Sequence, residues 1–148
     1  MEVRALCRAE SATIASWRYP GRYSTYDVDD PRILARDHWT AVTEAGQLLG
    51  YCCFGTPARV AGVEAEPGMV DVGYGMAPDF MGRGHGHRFV AAILDFALER
   101  YHPKRFRLHV LEWNERSRKV AERHGFALES VLERSEGRFV VLVCDGRN

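Results

Sequence analysis

The chain has 148 residues, 46% of them hydrophobic and 27% charged, with 20 basic and 20 acidic side chains and a formal net charge of +0. That length fits one domain, residues 1–148, able to bury a core of its own, and the composition is too apolar for disorder. The charge balance removes any global electrostatic reason to bind nucleic acid or a membrane surface, so an anion site has to be local.

No apolar run approaches a membrane span, and the opening MEVRALCRAES lacks the apolar core of an export signal, so the expected location is the cytoplasm. Cys7, Cys52, Cys53 and Cys144 form no CxxC pair and meet no zinc-ligand spacing with His85 and His87. They read as reduced thiols, with no metal expected.

In chain order, Glu2 to Cys7 alternates polar and apolar residues as a first strand. Ser11 can cap a helix over Ala12 to Trp17. RYPGRYSTYDVDDPR then reads as a surface loop, because Pro20, Gly21 and Pro31 break helix. This loop supports two readings of equal weight. It either packs its tyrosines over the core or, with Trp17, Tyr23 and Tyr26, walls an acceptor site whose acidic DVDD run attracts a cationic amine. A short helix follows from Ile33 to Asp37. WTAVTE and LLGYCCFG form a hairpin around Ala45-Gly46, and TPARVAGVEAEPG is a loop.

The stretch from Val70 to Tyr101 organises the rest. VDVGYGM is a strand, MGRGHGH a glycine-rich turn, and the segment from about Gly84 to Tyr101 a helix with Phe89, Ile93, Phe96 and Tyr101 on one stripe. Gly82, Gly84 and Gly86 clear side chains where the backbone enters the helix, so N–H groups can lie against an anion. The helix's positive end adds about 0.3 to 1 kcal/mol for a negative group. Arg83, His85, His87 and Arg88 supply further donors. The ligand expected there is a phosphorylated cofactor. A Walker loop would need Gly-Lys-Ser or Gly-Lys-Thr where Gly86-His87-Arg88 stands, and a dinucleotide fingerprint would need glycine at His87. Both fail.

His102-Pro103 ends that helix. RFRLHVL is a strand, Asn114 caps a helix that Gly125 terminates, and ALESVLER and GRFVVLVCD close the chain as strands joined by Ser135-Glu136-Gly137.

The glycine turn resembles that of the GNAT acetyltransferases, whose Q/R-x-x-G-x-G/A motif receives the acetyl-CoA pyrophosphate, with Met81 standing where the family has Gln or Arg. A second motif, N-x-x-A/S-x-x-x-Y-x-x-x-G-F, is matched at Asn114, Ser117, Gly125 and Phe126, with Ala121 in place of the tyrosine. Ser117 with Ala121, and the run VDVGYGMAPDFMGRG, are similar to the branch of ribosomal-protein N-terminal alanine and serine acetyltransferases.

The resemblance implies an α+β, three-layer GNAT fold. Its mixed, mostly antiparallel twisted sheet is flanked by helices, and a splayed strand pair holds acetyl-CoA. It also implies acetyl transfer to a primary amine, a protein N-terminus or small amine, by direct attack in a ternary complex. Met76 and Ala77 would offer backbone N–H groups to the cofactor. Met81, Gly82, Arg83, Gly84, His85, Gly86 and His87 would form the cradle, and Asn114 would bond pantetheine besides capping its helix. Asp71 is the candidate base and Ser117 the candidate acid, each with a bland alternative: a solvated strand-end carboxylate and a helix-surface hydroxyl. Gly73 and Gly75 would permit a bulge and close ligand approach.

Arg116, Arg118 and Lys119 either reach the 3'-phosphate or form a solvated basic face. A CoA-binding regulatory module without efficient catalysis is the alternative function. Other acyl donors, polyamine or aminoglycoside acceptors, and a homodimer paired through exposed terminal strands stay open.

Overall fold

A computed structural model describes residues 1–36 and 39–146, apart from the side chain of Arg36. Asp37, at the end of the short helix expected from Ile33, lies outside the described residues. The elements are β1 (Glu2–Ala5), α1 (Arg8–Ser16), α2 (Pro31–Arg36), β2 (Thr40–Glu44), β3 (Gln47–Phe54), β4 (Met69–Met76), α3 (Gly86–Tyr101), β5 (Arg105–Leu111), α4 (Glu115–Arg123), β6 (Ala127–Arg134) and β7 (Gly137–Asp145). Single 3-10 turns occupy Gly21–Tyr26, Thr56–Ala58 and Pro78–Phe80.

Helix α1 starts four residues earlier than Ser11 suggested. The Glu10 carboxylate accepts the Cys7 backbone N–H at 3.1 Å, so the reach back from the third helical position fixes the start, and Ser11 lies inside the first turns. Helix α3 starts at Gly86 because Gly84 has φ +82°, which a helix cannot include. Its far end closes on left-handed His102, whose N–H bonds the Leu98 carbonyl at 3.1 Å. Tyr101 leaves the expected stripe: it is 44% exposed and tilts against Phe54.

The seven strands form one sheet in the order β1-β2-β3-β4-β5-β7-β6, antiparallel except for β4 beside β5. Neighbouring residues of a strand face opposite sides, so Cys52 joins the core under α3 and α4 with Val72, Phe89, Ile93 and Phe106, whereas Tyr51 joins Ile14 and Leu34 under α1 and α2. Two helical layers thus cover the two faces. No helix among the described residues is long and apolar enough to cross a membrane.

One irregularity positions the site. β4 and β5 pair only from Met69 opposite Arg105 to Val72 opposite Leu108. Beyond that rung β4 stays with β3 as far as Met76, and β5 stays with β7 as far as Leu111. The parallel pair therefore opens into a V.

Candidate functional site

The V is the floor of a cleft of about 350 Å³, walled by α3, α4, β3 and the segment from Tyr19 to Tyr26. Its backbone chemistry follows from strand alternation. Ala77 donates its N–H to the Leu49 carbonyl at 2.8 Å, and Gly55 donates to the Asp71 carbonyl at 2.9 Å. Odd-numbered residues of β4 are thereby bonded to β3, and the N–H groups of Tyr74 and Met76 face the opening, where β5 has left. Met76 thus lies as expected, at the split. Ala77 does not: its N–H is committed to β3 and the residue is buried.

The two strand glycines have a different purpose from the one expected. The β3–β4 register runs unbroken from Gly50 opposite Met76 to Phe54 opposite Val72, so there is no bulge. A Cβ on Gly75 would lie 2.3 Å from the Tyr51 phenol, and one on Gly73 would lie 2.9 Å from Cys53 Sγ. These glycines admit the side chains of β3.

The cradle stands at the other end of the cleft. Gly82 (φ +71°) and Gly84 (φ +82°) hold left-handed conformations that carry the chain from the Pro78–Phe80 turn into α3. No side chain caps the first turn of this 16-residue helix, whose positive end faces the cleft. Met81, Gly82, Gly84, Gly86 and His87 line it, whereas Arg83 and His85 do not. The His85 ring packs edge-on against Phe80 instead. Gly86 also lets α4 approach, since a Cβ there would meet Val120 at 3.1 Å. His87 stacks on His124 with ring centres 4.4 Å apart. From α4, Arg116, Lys119 and Arg123 face the cleft, and a Cβ on Gly82 would sit 3.5 Å from the Arg116 guanidinium. Arg118 turns away to the Glu112 carbonyl. The donor set suits a phosphorylated ligand: free helix N–H groups, two left-handed glycines and three cations.

Between cradle and V lies a group of hydroxyls. Asn114 caps α4 by accepting the Ser117 N–H at 3.3 Å, and its amide donates to the Tyr26 hydroxyl at 3.0 Å, tying the Tyr19–Tyr26 segment to α4. Ser117 Oγ lies 3.2 Å from the Tyr74 hydroxyl. Tyr19 donates to the Met76 carbonyl at 2.6 Å, and burial pushes its phenol up to about 12. Burial also raises Tyr26 and Tyr74. Ala121, where the acetyltransferase motif has tyrosine, is fully buried in the core.

Two expected site residues are displaced. Asp71 is 1% exposed and outside the cleft lining. Arg107 Nε bonds one carboxylate oxygen at 2.6 Å, while Arg107 Nη2 and Arg59 Nη1 bond the other at 3.1 and 2.9 Å. Both carboxylate oxygens are taken by guanidiniums and none of the residue lines the cleft, so Asp71 stands as a structural ion away from the place expected of the base. Trp17 packs on Tyr51, ring centres 6.2 Å apart, in the core under α1 and α2 rather than in the cleft. Tyr23 and Tyr26 do line it, backed by Trp113, with the Arg116 guanidinium 5.3 Å above the Tyr23 ring.

The acidic run is occupied elsewhere. Asp27 accepts the Tyr19 N–H, Asp29 lies 3.9 Å from Arg18, and Asp30 binds Arg32. Among the described residues no cluster of His, Cys, Asp and Glu could hold a metal ion.

Sequence reasoning passed over Tyr74, Arg123 and His109, which line the cleft together with Tyr19 of the expected aromatic loop. The seven-residue interval from Arg116 to Arg123 was a legible signal, two turns of one helix face. The others had no local signal.

The chain matches the profile of the acetyltransferase (GNAT) domain over residues 3–127. Among solved structures it is similar to an aminoglycoside acetyltransferase in complex with coenzyme A, with TM-score 0.77 and 18% identity over 97% of this chain and 93% of that one. A GNAT-family acetyltransferase from Bacillus anthracis gives TM-score 0.77 and 13% identity over 97% and 93%. A spermidine N-acetyltransferase chimera from Vibrio cholerae gives 0.75 and 15% over 98% and 95%. No curated protein sequence matches the chain. At these identities the likeness is one of fold.

Proposed function

Since the chain belongs to the GNAT acetyltransferase family, we propose that it transfers an acetyl group from acetyl-CoA to a primary amine by direct attack in a ternary complex. The observation that carries this reading is the V after Val72 and Leu108, which shares one cleft with the glycine cradle of α3. Acetyl-CoA supplies the activated acyl group as a thioester. The chain's own groups then have separable tasks. Gly82, Gly84 and the first turn of α3 hold the pyrophosphate, and Arg116, Lys119 and Arg123 hold the remaining phosphate. The N–H groups of Tyr74 and Met76 orient the acyl arm where the strands part. Ser117, fixed by Tyr74, donates the proton that the departing sulfur needs.

The acceptor side is a wall of tyrosines, and the charged groups in the cleft are cationic. With those cations engaged by the cofactor and no carboxylate in the described lining to hold the further positive charges of a spermidine-like or aminoglycoside-like acceptor, the site favours one amine on an uncharged body. A protein N-terminus or a neutral small amine fits, in line with the resemblance to the N-terminal alanine and serine acetyltransferases. An α-amine, with a reference pKa of about 7.7 to 8.0, also needs less deprotonation than a lysine at about 10.4.

The test is calorimetric titration with acetyl-CoA and with ATP, followed by thiol release across peptides, neutral monoamines and polyamines. CoA-specific binding with turnover on a peptide or monoamine is the expected result. Binding without turnover on any amine would favour a regulatory CoA-binding module, and absence of binding would end both readings.

A further inference from the structure

With Asp71 removed from the chemistry, the reaction still needs a destination for the ammonium proton. His109 is the residue after the last rung that joins β4 to β5, and it lines the cleft at the vertex of the V. The residue in line with it on β4 is Gly73, also in the lining, where Cys53 Sγ and Ala58 occupy the space a side chain would take. Both His109 ring nitrogens are buried, and neither makes a hydrogen bond of good geometry; the Ala58 backbone is the polar group beside the ring. Native proteins seldom keep such atoms without a use.

The surroundings set the protonation state. Burial holds the imidazole below its ordinary value; the Asp71 carboxylate on β4 and the Ala58 backbone pull upward, and Arg107 on the same strand and Arg59 after the Thr56–Ala58 turn push down. On the other side, β7 presents uncharged Val141. The ring is therefore neutral at neutral pH and able to accept a proton. The other titratable groups in the described lining are poorly suited. Buried Tyr19 and Tyr51 and half-buried Tyr26 and Tyr74 have raised pKa values, Tyr23 packs between Trp113 and the Arg116 guanidinium, Arg116, Lys119 and Arg123 are cations, and His87 stands at the cradle, stacked on His124.

We propose that His109 is the proton acceptor of the transfer, its half-buried ring turning a nitrogen into the cleft to take a proton from the acceptor's ammonium group directly or through one water. The step rests on the acetyltransferase reading above. The ammonium and the neutral imidazole give a free amine and an imidazolium. The amine nitrogen forms its bond to the acetyl carbon as the carbon–sulfur bond breaks. Ser117 gives its proton to the departing sulfur and is reprotonated by the nitrogen's second proton, and the imidazolium proton passes to solvent.

His109→Gln keeps a polar side chain that cannot titrate. At pH 7, kcat/KM for an acceptor that is an ammonium ion at that pH falls about 10²-fold or more, while acetyl-CoA affinity by calorimetry is unchanged. With an acceptor already neutral at the assay pH, such as an aniline or an O-alkyl hydroxylamine, the variant keeps the wild-type rate. In His109→Ala, free imidazole restores turnover of the ammonium-type acceptor. Equal losses on both acceptors, no loss on either, or no rescue by imidazole would overturn the assignment. Wild-type protein that binds no acetyl-CoA would instead overturn the parent reading, so the two failures are distinguishable.

Discussion

Asp71 and Arg107 meet beside the last rung that β4 and β5 share, with Arg107 Nε 2.6 Å from one carboxylate oxygen and Nη2 3.1 Å from the other. The pair staples the base of the V on the side opposite α3, and Arg59 ties the loop after β3 to the same carboxylate. Removing one member of a buried pair leaves an uncompensated charge, which costs about 3 to 5 kcal/mol. Asp71→Asn is therefore expected to lower the denaturant midpoint markedly, while the fraction that stays folded keeps the wild-type pH–rate profile. A change in that profile without loss of stability would restore Asp71 to the chemistry.

The cradle predicts a separation of binding from folding. A Cβ at Gly84 would meet nothing within 4 Å, so the protein itself has room for a side chain there. The φ of +82° adds roughly 1 to 2 kcal/mol of strain for any L-residue. Gly84→Asp should fold with only that penalty, yet lose acetyl-CoA binding in calorimetry because a carboxylate occupies the anion's place. Retained affinity would remove the phosphates from this turn.

Ser117 and Tyr74 should differ in degree. Ser117→Ala removes the proposed donor and is expected to lower kcat with little change in acetyl-CoA affinity. Tyr74→Phe keeps the ring that packs on Phe89 and deletes only the 3.2 Å hydroxyl contact. One hydrogen bond of about 0.5 to 1.5 kcal/mol corresponds to a two- to tenfold fall in kcat. Steady-state kinetics in which Tyr74→Phe is the more damaging change would make the phenol the donor.

Gly75 carries a steric prediction. Gly75→Ala forces a methyl to within 2.3 Å of the buried Tyr51 phenol. Overpacking costs about 1 to 3 kcal/mol, and Tyr51→Phe in the same chain should recover part of it. Thermal melts that show no loss for Gly75→Ala would mean that β3 and β4 separate more readily than their unbroken register implies.

Glu10 sets part of the acid limit. Its carboxylate is held down to about 2 from 4.5, first by hydrogen bonds from Arg4, against the opposing effect of burial. A depressed folded-state value means that the contribution is complete above pH 4.5 and is lost as the pH falls toward 2. Urea midpoints of wild type should therefore fall across that window more steeply than those of Glu10→Gln. Parallel curves would show that the Arg4 pairing contributes nothing to stability.

Much of this was legible one-dimensionally. The α3 stripe, the glycine turn and the Asn114 cap are local: period, backbone freedom and a side chain bonding a backbone three residues on are written in consecutive residues. The order of strands followed from alternation and turn chemistry, and two motifs in that order were enough to indicate the family. The positions Met76, Gly82, Gly84 and Ser117 were reached this way, and each lines the cleft.

What the sequence could not determine were the partners of individual side chains. Asp71 looked available until Arg107, 36 residues away, and Arg59 closed on it. Ala77 is one residue from Met76, yet strand pairing turns its N–H to Leu49 and away from the cleft. Gly75 empties a space that Tyr51 fills from the neighbouring strand, and Trp17 finds the core instead of the cleft. His109 carries no motif; only the divergence of β4 from β5 brings it to the vertex of the cleft. Local chemistry thus determined the elements and the cradle. Which groups are free to act was decided by long-range pairing, because a hydrogen bond or ion pair that removes a residue from chemistry comes from chain far away in sequence.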